Sequence, residues 1–164
     1  MLAGGTPLRA AGSLDAPWQG RPRVADVGTC VVRTTSDGDT FRCADGRRVR
    51  LLGIDAPELD QAAGSASRGA LQRLLRPGQR VRLETDVQRR DPFGRTLAYV
   101  WIGPRLINEE MVRGGFAVTL TYAPNVRYVE RLRRAQATAR AARAGLWASN
   151  GFSCLPLAHR QGRC

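Results

Sequence analysis

A chain of 164 residues is long enough for one domain with a real core and too short to expect two. With 43% apolar residues it is globular rather than disordered or fibrous, and no apolar run is long enough to span a bilayer as a helix. The net charge is +12, from 26 basic residues against 14 acidic, and every basic residue is arginine; codon composition and attraction of a polyanion both explain this, so charge alone names no function.

In chain order, residues 1–23 are rich in Gly, Pro and Ala and predict a flexible leader, with no apolar run of signal-peptide length. Then "VADVGTCVVRTT", "TFRCAD" and "RRVRLLGID" predict three strands, separated by "SDGD" and by Asp45-Gly46. Asp-Gly between apolar runs is a strong hairpin signal, so a three-stranded meander is expected. "SASRGALQRLLRPG" places Ala66, Ala70, Leu71, Leu74 and Leu75 at helical spacing, with Pro77-Gly78 as the stop. "QRVRLETDV" alternates Val81, Leu83, Thr85 and Val87 with Arg82, Glu84 and Asp86, the pattern of a half-buried strand. "RTLAYVWI" is apolar on both faces, as in a strand covered on both sides. "NEEMVRGG" predicts a short helix capped by Asn108 and ended by Gly114-Gly115. A last helix is expected with Asn125 as its cap. It buries Tyr128, Leu132, Ala135, Ala139, Ala142 and Leu146 and exposes Arg127, Arg131 and Arg134. Trp147, in "GLW", reads as a core anchor.

Five strands with a helix between the third and fourth is the element order of an OB-fold. The expected fold is therefore α+β, mainly β: a five-stranded OB-fold barrel with about three helices. The domain is expected over residues 24–148, followed by a C-terminal tail over 149–164. Such barrels often bind oligonucleotides, but a fold does not decide a function.

None of the four cysteines forms a C-x-x-C pair, which argues against a zinc site. Cys30 and Cys43 lie symmetrically about the "SDGD" turn and would face each other in a hairpin; Cys154 and Cys164 would then close a small loop in the tail. Two bridges imply an oxidising compartment, hence a secreted or periplasmic protein. Four free thiols in a cytosolic protein is the other reading.

Asp39 closes the first hairpin turn and Asp55 ends the third strand, so two carboxylates distant in sequence can converge on neighbouring strands. Converging carboxylates repel unless a cation lies between them. All-oxygen ligation suits calcium or magnesium, with water and the Ala56 carbonyl completing the shell. Arg50 and Asp55 are five residues apart, an odd separation that points them to opposite faces of a flat strand. Gly53 between them predicts a kink. Arginine beside a metal–carboxylate cluster suits phosphate, which its planar fork binds through two oxygens. "DPFGR" brings a second, Arg95, out of a turn, and Glu58 is spaced to accept a proton from water. A cation, a general base and two arginines together make a phosphodiester hydrolysis site. Each residue alone reads as a solvated turn aspartate or a surface arginine.

"SDGDT", "RLLGIDAPE", "DPFGR" before "LAYVW", "INEEMVRGGFA" and "GLW" resemble, in that order, the motif segments of the staphylococcal nuclease (thermonuclease) family, over about residues 28–147. That resemblance implies an OB-fold, calcium-dependent nuclease that cuts DNA and RNA with little sequence preference and leaves 3′-phosphate ends. By matching motif positions it implies Asp39 and Asp55 as the calcium carboxylates and Ala56 as the carbonyl donor. Glu58 corresponds to the residue that activates or positions water, Arg50 and Arg95 to the phosphate arginines, and Tyr122 to a wall of the nucleotide pocket. The family prototype carries a lysine and a tyrosine just before the Gly-Arg; Pro92 and Phe93 stand here, which removes a charge and a hydroxyl that would grip a terminal phosphate and leaves Phe93 as a substrate-binding ring. A second pocket tyrosine is replaced near Leu120, and the loop after Glu58 is shorter. The cysteines and the tail beyond Trp147 lie outside the family pattern, and no departure falls on Asp39, Asp55, Glu58, Arg50 or Arg95.

The leading expectation is a monomeric, calcium-dependent nuclease acting on DNA and RNA, single strands included. The alternative is a non-catalytic OB-fold module that binds nucleic acid through its field and a few aromatics. Retention of all five charged side chains favours the enzyme.

Overall fold

The computed structural model describes residues 26–164; the expected leader, residues 1–23, lies outside them. Strand β1 (Asp26–Thr35) turns through the Asp-Gly segment into β2 (Thr40–Cys43), and Asp45-Gly46 turns β2 into β3 (Arg48–Leu51). A two-residue strand β4 (Ile54–Asp55), helix α1 (Gly64–Leu74), β5 (Arg80–Glu84) and β6 (Thr96–Ile102) follow. Next come β7 (Arg105–Leu106), α2 (Ile107–Arg113), β8 (Val118–Thr119) and α3 (Val129–Ala141). The described chain ends in a 3-10 turn (Gly145–Trp147) and a short helix α4 (Pro156–Arg160).

β1 pairs with β2 on one edge and β5 on the other, and its register slips against both partners. Extra residues of this kind bend and twist a strand, so one strand can serve two walls. The order β3-β2-β1-β5-β6 closes where β3 and β6 pair in parallel, Val49 opposite Thr96. This is the expected five-stranded OB-type barrel. Inward positions alternate as period two requires: Val49 and Leu51 in β3, Val81 and Leu83 in β5. α1 seals the barrel with Ala70 and Leu71, and α3 with Leu132 and Ala135. A fully buried side chain of the size of Phe41 or Leu71 contributes about 1.5–3 kcal/mol.

Several local expectations are corrected. "RRVRLLGID" is not one strand: Gly53, at φ +75°, breaks it, and Ile54–Asp55 leave the barrel to pair with β8. A side chain at Gly53 would be strained at that φ and would meet Leu132 Cδ1 at 2.6 Å. Asn108 is not a helix cap. It is fully buried inside the first turn of α2, where its amide binds the Val100 N–H and the Leu52 and Ala98 carbonyls. Asn125 is not the cap of α3, which begins four residues later; its amide instead clasps the backbone N–H and carbonyl of Gln88. Ala142 is exposed, because α3 ends at Ala141. Trp147 is only partly buried, packed on Phe152 and beneath Arg140.

Both expected disulfides form: Cys30–Cys43 between β1 and β2 (Cα–Cα 5.7 Å) and Cys154–Cys164 in the tail (5.9 Å). Reductant is expected to lower the melting temperature, mainly through Cys30–Cys43, whose loop contributes about 3 kcal/mol in the chain-entropy model. An unchanged melting curve with titratable thiols would remove that contribution. Among the described residues no helix is long and apolar enough to cross a membrane.

Candidate active site

The register of the barrel assembles the site. Thr40 of β2 lies opposite Arg50 of β3, which puts Asp39, one residue upstream, beside the Arg50 side chain. The parallel pair Val49–Thr96 brings Arg95 in beside the start of β3. The kink at Gly53 then turns Asp55 back toward Arg50, as the odd spacing requires. Gly38 lets the first turn pack tightly: a Cβ there would lie 2.1 Å from Ser67 Oγ and 2.6 Å from Ala56 Cβ.

Arg50 is the hub. Its Nε lies 3.0 Å from Asp39 Oδ1 and its Nη2 3.2 Å from Asp55 Oδ1, while Nη1 donates to the Leu51 and Ile54 carbonyls. Asp39 Oδ1 also accepts from Thr40 Oγ1, and its Oδ2 accepts the Ala56 N–H at 2.9 Å, so the backbone at 56 is held against Asp39. Asp39 and Asp55 are 6% and 1% exposed. Burial pushes the Asp55 carboxyl above its ordinary range, against hydrogen bonds from Arg160 and the charge of Arg50. Asp37, which accepts the Asp39 N–H, is pushed up to about 6 by burial and by the Asp39 charge. Negative charge is therefore crowded at this turn.

Glu58 stands half-exposed at the mouth, its carboxylate bound by Arg160 Nη1 at 2.7 Å. Arg95 lines the same cleft. Asp91 fixes it through Nε at 2.6 Å, and its Nη1 reaches Thr40 Oγ1 at 3.5 Å. Although burial opposes it, hydrogen bonding by Arg95 holds the Asp91 carboxyl below its ordinary value. Phe93, 5.6 Å beneath the Arg95 guanidinium, and Tyr122 are exposed on the rim. Arg50, Glu58, Arg95, Phe93, Tyr122 and Arg160 line one open cleft of about 540 Å³.

The structure thus brings together Asp39, Asp55, Ala56, Arg50 and Glu58, sets Arg95 at the same cleft, and leaves Tyr122 and Phe93 at its edge. The carboxylate pair itself offers hard oxygens, the donor type that calcium or magnesium takes, and in this structure the Arg50 and Arg160 guanidiniums hold them. Among the described residues no group of three or more His, Cys, Asp and Glu side chains could hold a metal ion. Sequence reading missed two members. Asp91 was legible as a partner four residues before Arg95. Arg160, which takes both oxygens of Asp55, carries no local signal and lies 105 residues away.

Fold and site together define an OB-fold barrel with a cleft lined by paired carboxylates and arginines. Residues 48–149 match the family model of staphylococcal nuclease homologues. The chain is 38% identical to the thermonuclease of Staphylococcus hyicus, over 69% of this chain and 72% of that protein. It is 36% identical to the thermonuclease of Staphylococcus intermedius, over 71% of this chain and 74% of that protein. It is likewise 36% identical to protein ParB of Escherichia coli, over 85% of this chain and 83% of that protein. The chain belongs to the staphylococcal nuclease family.

Proposed function

We propose that this protein is a calcium-dependent, largely sequence-nonspecific nuclease that hydrolyses phosphodiester bonds of DNA and RNA, single strands included, and leaves 3′-phosphate ends. The observation that carries the reading is the convergence of Asp39, Asp55 and Arg50 within hydrogen-bonding distance, on a cleft that also presents Glu58 and Arg95. Asp39, Asp55 and the Ala56 carbonyl would hold the cation, which would neutralise phosphate charge and polarise water. Glu58 accepts the proton of the attacking water. As the water oxygen bonds to phosphorus and the bond to the 5′-oxygen breaks, charge grows on the non-bridging oxygens, and Arg50 and Arg95 meet it. Asp91 keeps the Arg95 fork aimed into the cleft. Tyr122 and Phe93 offer ring faces on which bases stack, which is tolerant of sequence.

Two disulfides fit a secreted or periplasmic protein. Plasmid digestion with calcium, with and without chelator, tests the reading. Cleavage is expected only with calcium, and the new ends should resist polymerase extension until a phosphatase treats them. Binding without cleavage under every condition would favour the non-catalytic module instead.

A further inference from the structure

The tail brings an arginine into the cleft, and it does so from a docked platform. Phe152 is buried against Trp147, with ring centroids 4.5 Å apart, and Pro156 is buried. Gln61 Nε2 donates to the Cys154 carbonyl at 3.2 Å, and His159 Nε2 lies 3.1 Å from Asp60 Oδ1. The Cys154–Cys164 bridge closes the segment, which restricts the conformations open to it. From there the Arg160 fork takes Asp55 Oδ1 and Oδ2, each at 2.9 Å, while its Nη1 also reaches Glu58 Oε1 at 2.7 Å.

Asp55 is 1% exposed, so its charge is costly to leave unpaired. Arg50 supplies one partner and Arg160 the other. A calcium ion needs a carboxylate oxygen at about 2.3–2.6 Å. Both oxygens of Asp55 already accept from Arg160, and a guanidinium and a metal ion crowded onto one carboxylate repel strongly in a poorly solvated site. Arg50 takes one Asp55 oxygen and leaves the other open, whereas Arg160 takes both, so it is Arg160 that competes with a metal ion for Asp55. We propose that Arg160 is the resident counter-ion of Asp55 and Glu58, a positioning residue that sets the cation affinity of the site: a metal ion binds by displacing the guanidinium from Asp55. The disulfide-closed tail governs how readily it leaves. This rests on the reading of Asp55 as a cation ligand.

The test is calorimetric titration of calcium into the full chain, with the calcium-dependent melting temperature as a second readout. Arg160→Gln is expected to bind calcium about tenfold or more tightly than wild type, since the competing charge-assisted bonds are gone. Arg160→Lys should fall between the two, because an ammonium keeps the charge but not the fork. Asp55→Asn should lose calcium binding. The double variant Cys154→Ser, Cys164→Ser keeps Arg160 but opens its loop, and should shift calcium affinity in the direction of Arg160→Gln; it carries the test if Arg160→Gln folds poorly. Equal or weaker calcium affinity in both Arg160→Gln and the double variant, with binding lost in Asp55→Asn, overturns the proposal and leaves the nuclease reading standing. Wild-type calcium binding by Asp55→Asn, or none by wild type and Arg160→Gln alike, overturns the cation reading and this inference with it. Unchanged calcium affinity with a raised KM in Arg160→Gln also overturns it, assigning the guanidinium to substrate.

Discussion

Glu58→Gln and Arg95→Ala are each expected to lower turnover by orders of magnitude while leaving the fold intact. Removing a general base costs about 10²–10⁴ in rate, and removing a donor to developing negative charge costs about 10²–10³. Neither side chain supports the barrel. Glu58 is half-exposed and, among the described residues, its carboxylate pairs with Arg160, itself a member of the cleft. Arg95 leaves behind Asp91, which keeps the backbone N–H groups of Phe93 and residue 95 as partners. Melting temperatures close to wild type, with cleavage measured at saturating calcium, would separate lost chemistry from lost structure. Wild-type-like cleavage by either variant would count against the assigned roles.

The largest single effect on stability is expected at Asn108. It is fully buried, and its amide joins three parts of the backbone: Val100 and Ala98 of β6 and Leu52 at the turn between β3 and β4. In Asn108→Ala the Ala98 carbonyl still accepts the Leu52 N–H, but the Val100 N–H and the Leu52 carbonyl lose their amide partners. Each buried orphan costs about 1–3 kcal/mol, so a loss of about 2–5 kcal/mol is expected. For a domain of this size that lowers the melting temperature by roughly 10 °C. The same turn aims Asp55 at Arg50, so weaker calcium binding should accompany the instability. A melting temperature within about 2 °C of wild type would show that water replaces the amide at little cost.

Residue order alone dictates what is local. Asp-Gly turns between alternating apolar runs specify hairpins, and so the three-stranded meander and the pairing of Cys30 with Cys43. Odd spacing with a glycine between Arg50 and Asp55 even predicted the kink that unites them. What it could not yield is what depends on contact between distant segments. Asn108 and Asn125 stand where capping residues stand. Only the packed barrel shows their amides turned inward to backbone groups that would otherwise be buried without partners. Gly53 announces a bend, but its outcome, β4 pairing with β8, depends on a segment more than sixty residues on. Arg160 is the extreme case: an arginine in a polar tail has no periodicity or turn chemistry to betray it. Burial of Asp55 creates the need for a second counter-ion, and only the docked tail decides which side chain supplies it.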